Sequence, residues 1–254
     1  MSTNPQEGSR PTVVLVHGAF ADGSSWNGVI ERLQTEGVQV TVPANPLRGI
    51  SIDSAYIASY LDQIPGPVLA VAHSYGGAVI TNAATYANNV VGLVYVAAFA
   101  PDEGETLGAI ASNSKDSAVY PALIPLQYPT GEGQETATEF AIDPEKFHEV
   151  FAADLSEEQT ALMAATLRPL SELAFSEPNG EPAWKNLSSW AVVSSGDKVI
   201  GTDAVRSMAD HAGATITDVE GSHAIMISKP QVVTDVILTA LAEVSHREVG
   251  ALNR

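Results

Sequence analysis

The sequence predicts an α/β fold in which a mostly parallel sheet of about six strands is flanked by helices. Short apolar, β-branched runs alternate with amphipathic stretches of helical period, the pattern of strand–helix–strand units. The alternation stops once, just past residue 101, and resumes near residue 189. The 254 residues, 45% of them hydrophobic and 17% charged, correspond to one large globular domain with an insertion rather than to a disordered chain.

Four strands are predicted before the interruption. They cover residues 12–16, 38–42, 67–72 and 90–98. Residues 12–16 are a continuous β-branched run, as is typical of a strand buried on both faces of a parallel sheet. Apolar residues three or four positions apart predict the intervening helices, which cover residues 26–36, 52–64 and 75–86. Units of this length imply right-handed crossover connections, so the strands should pair in parallel.

Residues 102–188 are predicted to form a mainly helical cap, inserted after the fourth strand into a core made of residues 1–101 and 189–254. The segment has no convincing buried strand, and it is too long to be a structureless loop in a compact domain. Short amphipathic helices are predicted over residues 147–153 and 156–167. An insertion at the carboxyl end of a parallel strand emerges above the edge where α/β folds bind ligands, so we expect the cap to cover that edge.

The alternation resumes after the predicted cap. Residues 190–194 and 214–219 have the pattern of two further strands. Residues 202–211 and 230–244 have helical periodicity. With the four earlier strands, these elements complete the predicted sheet of about six strands.

The composition excludes several classes of site and disfavours several classes of partner. There is no cysteine, so disulfides, zinc–thiolate sites, iron–sulfur clusters and a cysteine nucleophile are excluded. The 12 Lys and Arg against 30 Asp and Glu give a net charge of −18, which disfavours nucleic acids, anionic membranes and anionic substrates. No apolar run approaches the ~20 residues of a membrane span, and residues 1–10 lack the pattern of a secretion signal. We therefore expect a cytoplasmic protein, either a monomer or a homodimer.

Ala72-His-Ser-Tyr-Gly76 lies where the third strand meets the following helix. At such a turn a serine is raised above the carboxyl edge of the sheet, and the start of the helix beneath it favours developing negative charge. The turn is tight, so its flanking residues must be small, as Ala72, Gly76 and Gly77 are. Ser74 is therefore the candidate nucleophile, and a helix-capping role is the alternative.

His223 is the candidate general base, because it follows the last predicted strand and so reaches the same sheet edge as Ser74. His73 adjoins the nucleophile and leaves the turn in another direction, and His17 is interpreted as structural. The remaining histidines lie in the cap, at a helix end and in the charged tail: His148, His211 and His246.

Asp197 is the candidate acid that orients His223. It follows the strand that precedes the last one, so it should lie at the same edge of the sheet. Asp203 is a competitor, but it stands where an acid suits the start of a helix. Asp102, after the fourth strand, is a second competitor. We favour Asp197 over both.

Two backbone N–H groups must stabilise the oxyanion that forms when a serine attacks a carbonyl carbon. Tyr75, directly after the candidate nucleophile, should supply one. The loop after the first strand should supply the other through Ala19, since Gly18 lets the backbone approach closely. Gly18 and Phe20 would then border the substrate.

Three motifs together resemble those of the α/β-hydrolase superfamily, and the resemblance extends over nearly the whole chain. They are Val14-Leu-Val-His-Gly-Ala19 with Trp26, Ala72-His-Ser-Tyr-Gly-Gly77, and Gly-Ser-His223. The order Ser74, Asp197, His223 is also that of the superfamily. Within it, the opening motif and the cap position are similar to those of the branch that holds plant methyl-ester esterases, hydroxynitrile lyases and bacterial carboxylesterases. The resemblance implies ester hydrolysis by a catalytic triad, without a cofactor or metal ion.

The resemblance favours a serine carboxylesterase acting on a small neutral hydrophobic ester. The cap aromatics Tyr120, Tyr128 and Phe147 are candidate substrate contacts, with packing inside the cap as their alternative role. A hydroxynitrile-lyase-like C–C lyase is an alternative function, but Gly18 and Ala224 stand where those lyases carry Thr and Lys. A degenerate hydrolase that acts as a small-molecule receptor is a further alternative.

Overall fold

A computed structural model of the protein describes residues 10–131 and 133–252, with only the helical backbone described for residues 246–252. Its strands are β1 (Thr12–Val16), β2 (Val40–Thr41), β3 (Val68–Ser74), β4 (Val90–Ala98), β5 (Leu123–Pro129), β6 (Thr136–Ile142), β7 (Leu170–Ser171), β8 (Ser189–Ser194) and β9 (Thr215–Val219). Its α-helices are α1 (Asn27–Thr35), α2 (Ile50–Leu61), α3 (Tyr75–Ala83), α4 (Leu107–Asn113), α5 (Pro144–Phe151), α6 (Glu157–Thr166), α7 (Leu173–Ser176), α8 (Thr202–His211), α9 (Ile225–Ser228) and α10 (Pro230–Leu252).

The main sheet has the order β2-β1-β3-β4-β8-β9, and every neighbouring pair in it is parallel. This confirms the prediction of a largely or wholly parallel sheet of about six strands. After β1 the chain crosses to β2 on one side and then to β3 on the other side of β1. The loops that follow β1 and β3 therefore diverge, which leaves a crevice at the carboxyl edge of the sheet.

Both faces of the main sheet are covered. Val14 and Val16 of β1 pack into a core shared with α2, α3 and α5, whereas Val13 and Leu15 pack into a second core with α1 and α10. Successive strand residues point to opposite faces, and all four of these side chains are fully buried. Burial on both faces is the reason why β1 is a continuous apolar run in the sequence.

The inserted segment, residues 99–188 between β4 and β8, contains a small antiparallel sheet as well as α4, α5, α6 and α7. The sequence predicts mainly helices there and no convincing buried strand. The strand order is β5-β6-β7, so β5 is an edge strand, and it is largely exposed. Pro125 and Pro129 fit such an edge because proline has no N–H to donate to a neighbouring strand. β5 therefore lacks the buried, β-branched pattern by which the core strands are recognised.

Several local boundaries differ from the predicted ones. β2 covers two residues instead of 38–42, and α10 continues to Leu252 instead of ending at residue 244. The single turn α9 just after His223 was not predicted, because four residues are too few to show a helical period. Within residues 10–131 and 133–252, no helix is long and apolar enough to cross a membrane.

Candidate active site

Ser74 lies at the sharp turn between β3 and α3. Its backbone has φ 53° and ψ −125°, a left-handed φ that a residue with a side chain adopts only when the surrounding structure imposes it. Neighbouring backbone crowds this turn. A Cβ on Gly76 would lie 2.7 Å from the Val16 carbonyl oxygen, and one on Gly18 would lie 2.6 Å from Ser74 Cβ. Glycine at both positions lets the loop after β1 and the start of α3 meet at the serine.

His223 and Asp197 form a buried pair at the same edge of the sheet. His223 Nδ1 donates a hydrogen bond to Asp197 Oδ2 at 2.8 Å, and both side chains are fully buried. Asp197 Oδ1 accepts hydrogen bonds from the backbone N–H groups of Val199 and Ile200 at 2.9 and 3.0 Å. These bonds fix the position of the carboxylate.

The bond to Asp197 also sets the tautomer of His223. With the proton on Nδ1, the neutral imidazole has an unprotonated Nε2, which is the form of a general base. Nε2 is buried and has no hydrogen-bond partner among the described residues, Ser74 included.

The two competing acids lie elsewhere. Asp102 accepts from His211 Nε2 at 3.0 Å and pairs with Lys185 Nζ at 2.8 Å on the surface. Asp203 accepts from the Ser114 hydroxyl and from the Lys115 backbone N–H. Neither carboxylate contacts His223, so the predicted pairing of His223 with Asp197 is the one present.

The loop after β1 also adjoins Ser74. Phe20 donates its backbone N–H to the Arg168 carbonyl at 3.0 Å, so the inserted segment holds this loop. Tyr75 is the first residue of α3, and its N–H therefore has no partner within the helix. Ala19 and Tyr75 both line the cavity beside Ser74. The predicted oxyanion donors are thus adjacent to the predicted nucleophile.

That cavity, the Ser74 chamber, is small and apolar. Its volume is about 20 Å³. Besides Ala19, Phe20, Ser74 and Tyr75, residues of the inserted segment line it, among them Leu107, Ala111, Val119, Leu170 and Phe175.

The structure does not bring the three predicted cap aromatics into the Ser74 chamber. Tyr120 donates its hydroxyl to the Gly108 carbonyl at 2.8 Å and lines a separate cavity. Tyr128 stands under the Arg48 guanidinium, with its hydroxyl 3.2 Å from that of Ser171. Phe147 is fully buried and stacks on Phe151. All three are held by contacts within or beside the inserted segment, which sequence spacing does not reveal. Phe20, by contrast, lines the chamber, and Gly18 adjoins Ser74.

Two residues beside His223 were not predicted to support it. Phe151 packs edge-on against the imidazole with ring centres 5.0 Å apart. His73 Nε2 donates to the His223 carbonyl at 2.9 Å, and the two rings are 4.6 Å apart. Burial and the neighbouring His223 hold the pKa of His73 well below its usual value. The neutral His73 side chain therefore anchors the backbone of His223.

A buried pair that involves the Tyr75 side chain was not predicted. Tyr75 donates its hydroxyl to Asp53 Oδ2 at 2.7 Å, and Asp53 also accepts from the Arg48 backbone N–H. Burial raises the pKa of Asp53, against the effect of these hydrogen bonds. Asp53 lies in the first turn of α2, where an acid is an ordinary helix-start residue, so the sequence carried no signal for it.

The other histidines have structural contacts. His17 Nδ1 donates to the Gly18 carbonyl, and its Nε2 accepts from the Asn45 N–H. Burial lowers the pKa of His17. His148 contacts the Thr160 hydroxyl. The side chain of His246 lies outside the described residues. In the part of the chain that is described, no group of His, Asp or Glu side chains could hold a metal ion.

Two curated relatives are named as hydrolases. A pyrethroid hydrolase of Sphingobium wenxiniae is 25% identical over 179 residues, which cover 66% of this chain and 64% of that protein. A carbendazim hydrolyzing esterase of a Nocardioides species is 32% identical over 110 residues, which cover 38% of this chain and 46% of that protein. The chain thus spans less than two thirds of the length of either relative.

The fold is similar to that of solved esterase structures. Polyneuridine aldehyde esterase superposes with a TM-score of 0.76 at 20% identity, over 93% of this chain and 100% of that chain. The sequence of residues 13–236 also matches the model of the alpha/beta hydrolase family, and this match includes most of β1, the Ser74 turn and the His223 loop. On the evidence of that match, the chain belongs to the α/β-hydrolase family.

Proposed function

We propose that the protein is a serine carboxylesterase in which Ser74, His223 and Asp197 form the catalytic triad. The observation that carries the proposal is the fully buried 2.8 Å hydrogen bond between His223 Nδ1 and Asp197 Oδ2, at the sheet edge where Ser74 occupies a strained turn. The two hydrolase relatives, one of them named as an esterase, support ester hydrolysis.

The proposed reaction proceeds through an acyl-enzyme. Ser74 Oγ attacks the ester carbonyl carbon while His223 Nε2 takes the hydroxyl proton, and the Asp197 carboxylate stabilises the resulting imidazolium. The tetrahedral intermediate then expels the alkoxide, which receives its proton from His223. Water, activated by the same nitrogen, attacks the acyl-enzyme and releases the acid. In this scheme the hydrogen bond from Ser74 to Nε2 forms when substrate binds.

The backbone N–H groups of Ala19 and Tyr75 are the proposed oxyanion donors. Each would contribute on the order of 3 kcal/mol to transition-state stabilisation. Tyr75 is also at the N-terminus of α3, whose dipole favours the negative charge on the carbonyl oxygen. Their place beside Ser74 supports this role.

The proposed substrate is a neutral hydrophobic ester, and residues 102–188 are proposed to act as a cap over the active site. The apolar lining of the Ser74 chamber and the net charge of −18 both disfavour anionic substrates. Leu107, Val119, Leu170 and Phe175 of this segment line the chamber, which supports a role in substrate selection. The cytoplasmic location and the monomeric or homodimeric state remain predictions.

Replacing Ser74 with alanine tests the proposal. We expect the wild-type protein to hydrolyse p-nitrophenyl acetate and butyrate, and Ser74→Ala to lose several orders of magnitude in kcat, up to about 10⁶-fold. Far-UV circular dichroism and thermal unfolding serve as the control for folding. More than a tenth of wild-type activity in Ser74→Ala would exclude this mechanism. Binding of an ester without release of p-nitrophenol by the wild-type protein would instead favour a receptor.

A further inference from the structure

We propose that the Ser74 chamber holds only the ester group, and that the two arms of the substrate extend into two separate grooves on either side of it, gated by Phe20 and Phe175. The preferred substrates would then be esters with two sizeable neutral arms, at least one of them aromatic. This inference rests on the proposed ester hydrolysis and adds the substrate class to it.

The size of the Ser74 chamber is the first argument. Its volume of about 20 Å³ is close to the space that one water molecule needs. Sites for drug-sized molecules have volumes of roughly 300–1,000 Å³. A carbonyl group can occupy the chamber, but the acyl and alcohol arms of an ester must leave it.

The first groove is separated from the chamber by Phe20. This Phe20 groove has a volume of about 410 Å³, and Phe20 lines both it and the chamber. Its other lining includes Ser24 and Ser25 near the start of α1, Leu162 and Met163 of α6, and Ile227 of α9. Leu162 is 71% exposed, so an apolar side chain already faces solvent at this place. An arm of the substrate would cover it.

The second groove is separated from the chamber by Phe175. This aromatic groove has a volume of about 320 Å³ and is lined by Tyr120, Leu123, Phe140, Phe175, Glu172 and Ser176. Phe175 lines the chamber as well. Its ring packs edge-on against Phe140, with centres 5.8 Å apart, and lies 6.5 Å from that of Tyr120. Three aromatic rings around one groove favour an aromatic arm, which can adopt the same edge-on and offset contacts.

Both gating residues lie in short, irregular elements. Phe20 has a φ of 60° and is buried in the loop after β1, where its N–H donates to the Arg168 carbonyl. Phe175 belongs to α7, a single helical turn of four residues, and is only partly buried. Rotation of either side chain would join a groove to the chamber without moving the main sheet.

Charge at the two grooves selects against anionic arms. Asp22 lines the Phe20 groove, and hydrogen bonds from Ser24 hold the pKa of its carboxyl below the usual value. Glu172 is exposed at the aromatic groove. Within the lining of these grooves there is no Lys or Arg that could pair with a carboxylate of the substrate.

Four esters and three variants test the proposal. The esters are ethyl acetate, ethyl phenylacetate, benzyl acetate and benzyl phenylacetate, so that each arm is enlarged alone and then both together. Acid release is followed by pH-stat. The variants are Leu123→Trp, which fills the aromatic groove, Met163→Trp, which fills the Phe20 groove, and the control Leu126→Trp. Leu126 is exposed on β5, the strand that contains Leu123, and does not line either groove.

We expect each aromatic arm to raise kcat/KM of the wild-type protein about tenfold or more over ethyl acetate, and the two gains to multiply in benzyl phenylacetate. Leu123→Trp should remove the gain from one arm and Met163→Trp the gain from the other. The gain from each arm is taken relative to the same variant's own kcat/KM for ethyl acetate, and Leu126→Trp should behave as wild type.

Two results would overturn the proposal. The first is that neither aromatic arm raises kcat/KM above that for ethyl acetate. The second is that Leu123→Trp and Met163→Trp both remove the gain from the same arm. Should a tryptophan variant fail to fold in a thermal melt, Phe175→Ala and Phe20→Ala replace it, and each should raise kcat/KM for larger groups on one arm only. If ethyl acetate hydrolysis persists in Ser74→Ala, the proposed function fails instead, so the two failures are distinguishable.

Discussion

Tyr75 contributes to the proposed site through two different groups. Its backbone N–H is a candidate oxyanion donor, and its hydroxyl donates to the buried Asp53 carboxylate at 2.7 Å. Burial, together with the charge of Asp53, raises the pKa of Tyr75 well above its usual value, so the hydroxyl remains a donor. The Asp53 contact ties the first residue of α3 to the first turn of α2, and it therefore restrains the donor beside Ser74.

Removing the Tyr75 hydroxyl should lower both stability and turnover. We expect Tyr75→Phe to cost about 1–3 kcal/mol in the free energy of unfolding, because Asp53 loses a buried donor. It should also lower kcat for p-nitrophenyl acetate severalfold, with KM little changed. The Tyr75 N–H would be held less firmly and would therefore stabilise the transition state less. Urea unfolding and steady-state kinetics measure the two effects.

Tyr95→Phe is the matched control for this prediction. Tyr95 is equally buried, and its hydroxyl lies 2.8 Å from that of Thr81, away from the chamber. It should lose stability without losing kcat. Equal losses of kcat in both variants would show that the Asp53 contact acts only through stability.

At the scale of elements, the inserted segment is bonded to both loops of the candidate site. The Ala224 N–H donates to the Phe151 carbonyl at 3.1 Å, and the Phe20 N–H donates to the Arg168 carbonyl at 3.0 Å. The Ser222 hydroxyl also donates to Asp154, just past α5. The segment therefore holds the loop that contains His223 and the loop after β1, and a rigid-body opening of the whole segment would break these bonds.

Phe151 and Phe147 of α5 provide a test of this coupling. Both are fully buried and stack on each other, but Phe151 alone of the two packs against His223. We expect Phe151→Leu and Phe147→Leu to destabilise the protein to a similar extent, by roughly 1–2 kcal/mol, less than the ~3–5 kcal/mol of a Phe→Ala change. Only Phe151→Leu should reduce kcat on p-nitrophenyl acetate. A similar loss of kcat in Phe147→Leu would contradict a specific contact with the base.

At the scale of the whole molecule, two buried neutral histidines should make stability depend on pH. His17 and His73 have pKa values lowered chiefly by burial, whereas an unfolded histidine titrates near its ordinary value of about 6.5. Their contribution to stability is complete above that pH. Below it the unfolded chain binds protons that the folded chain does not, so stability is lost as pH falls. Asp53 changes stability in the opposite direction. Because its pKa is raised, the folded chain binds this proton at a higher pH than the unfolded chain does.

We therefore expect the free energy of unfolding to fall between pH 7 and pH 5, by up to roughly 1.4 kcal/mol per pH unit for each such histidine. The measurement is urea unfolding at half-unit intervals of pH. The slope of the unfolding free energy against pH is compared between the wild-type protein and His73→Asn. The difference between the two slopes is the contribution of His73, because the general effect of net charge is common to both. An identical slope in the variant would mean that His73 is not buried in its neutral form.

The parallel sheet and the positions of Ser74, Asp197 and His223 were predictable from the sequence. The inner strands β1, β3 and β4 are nearly continuous apolar runs because they are buried on both faces, and this pattern is local. Residues that directly follow parallel strands share one sheet edge whatever the loops do, so strand ends alone placed the three side chains near one another. The small residues around Ser74 were also visible in the sequence, and the structure gives the reason for one of them, since a Cβ at Gly76 would meet the β1 backbone.

Only the tertiary structure decided how the inserted segment packs. β5 is an exposed edge strand defined by its pairing with β6, and Tyr120, Tyr128 and Phe147 are held by partners distant in sequence. The contacts of Tyr75 with Asp53 and of Phe151 with His223 also join separate elements. Such contacts depend on which surfaces meet when the elements pack, and a residue's periodicity or neighbours do not encode them. The sequence therefore determined the sheet and the candidate triad, whereas long-range packing decided the shape of the chamber and the two grooves beside it.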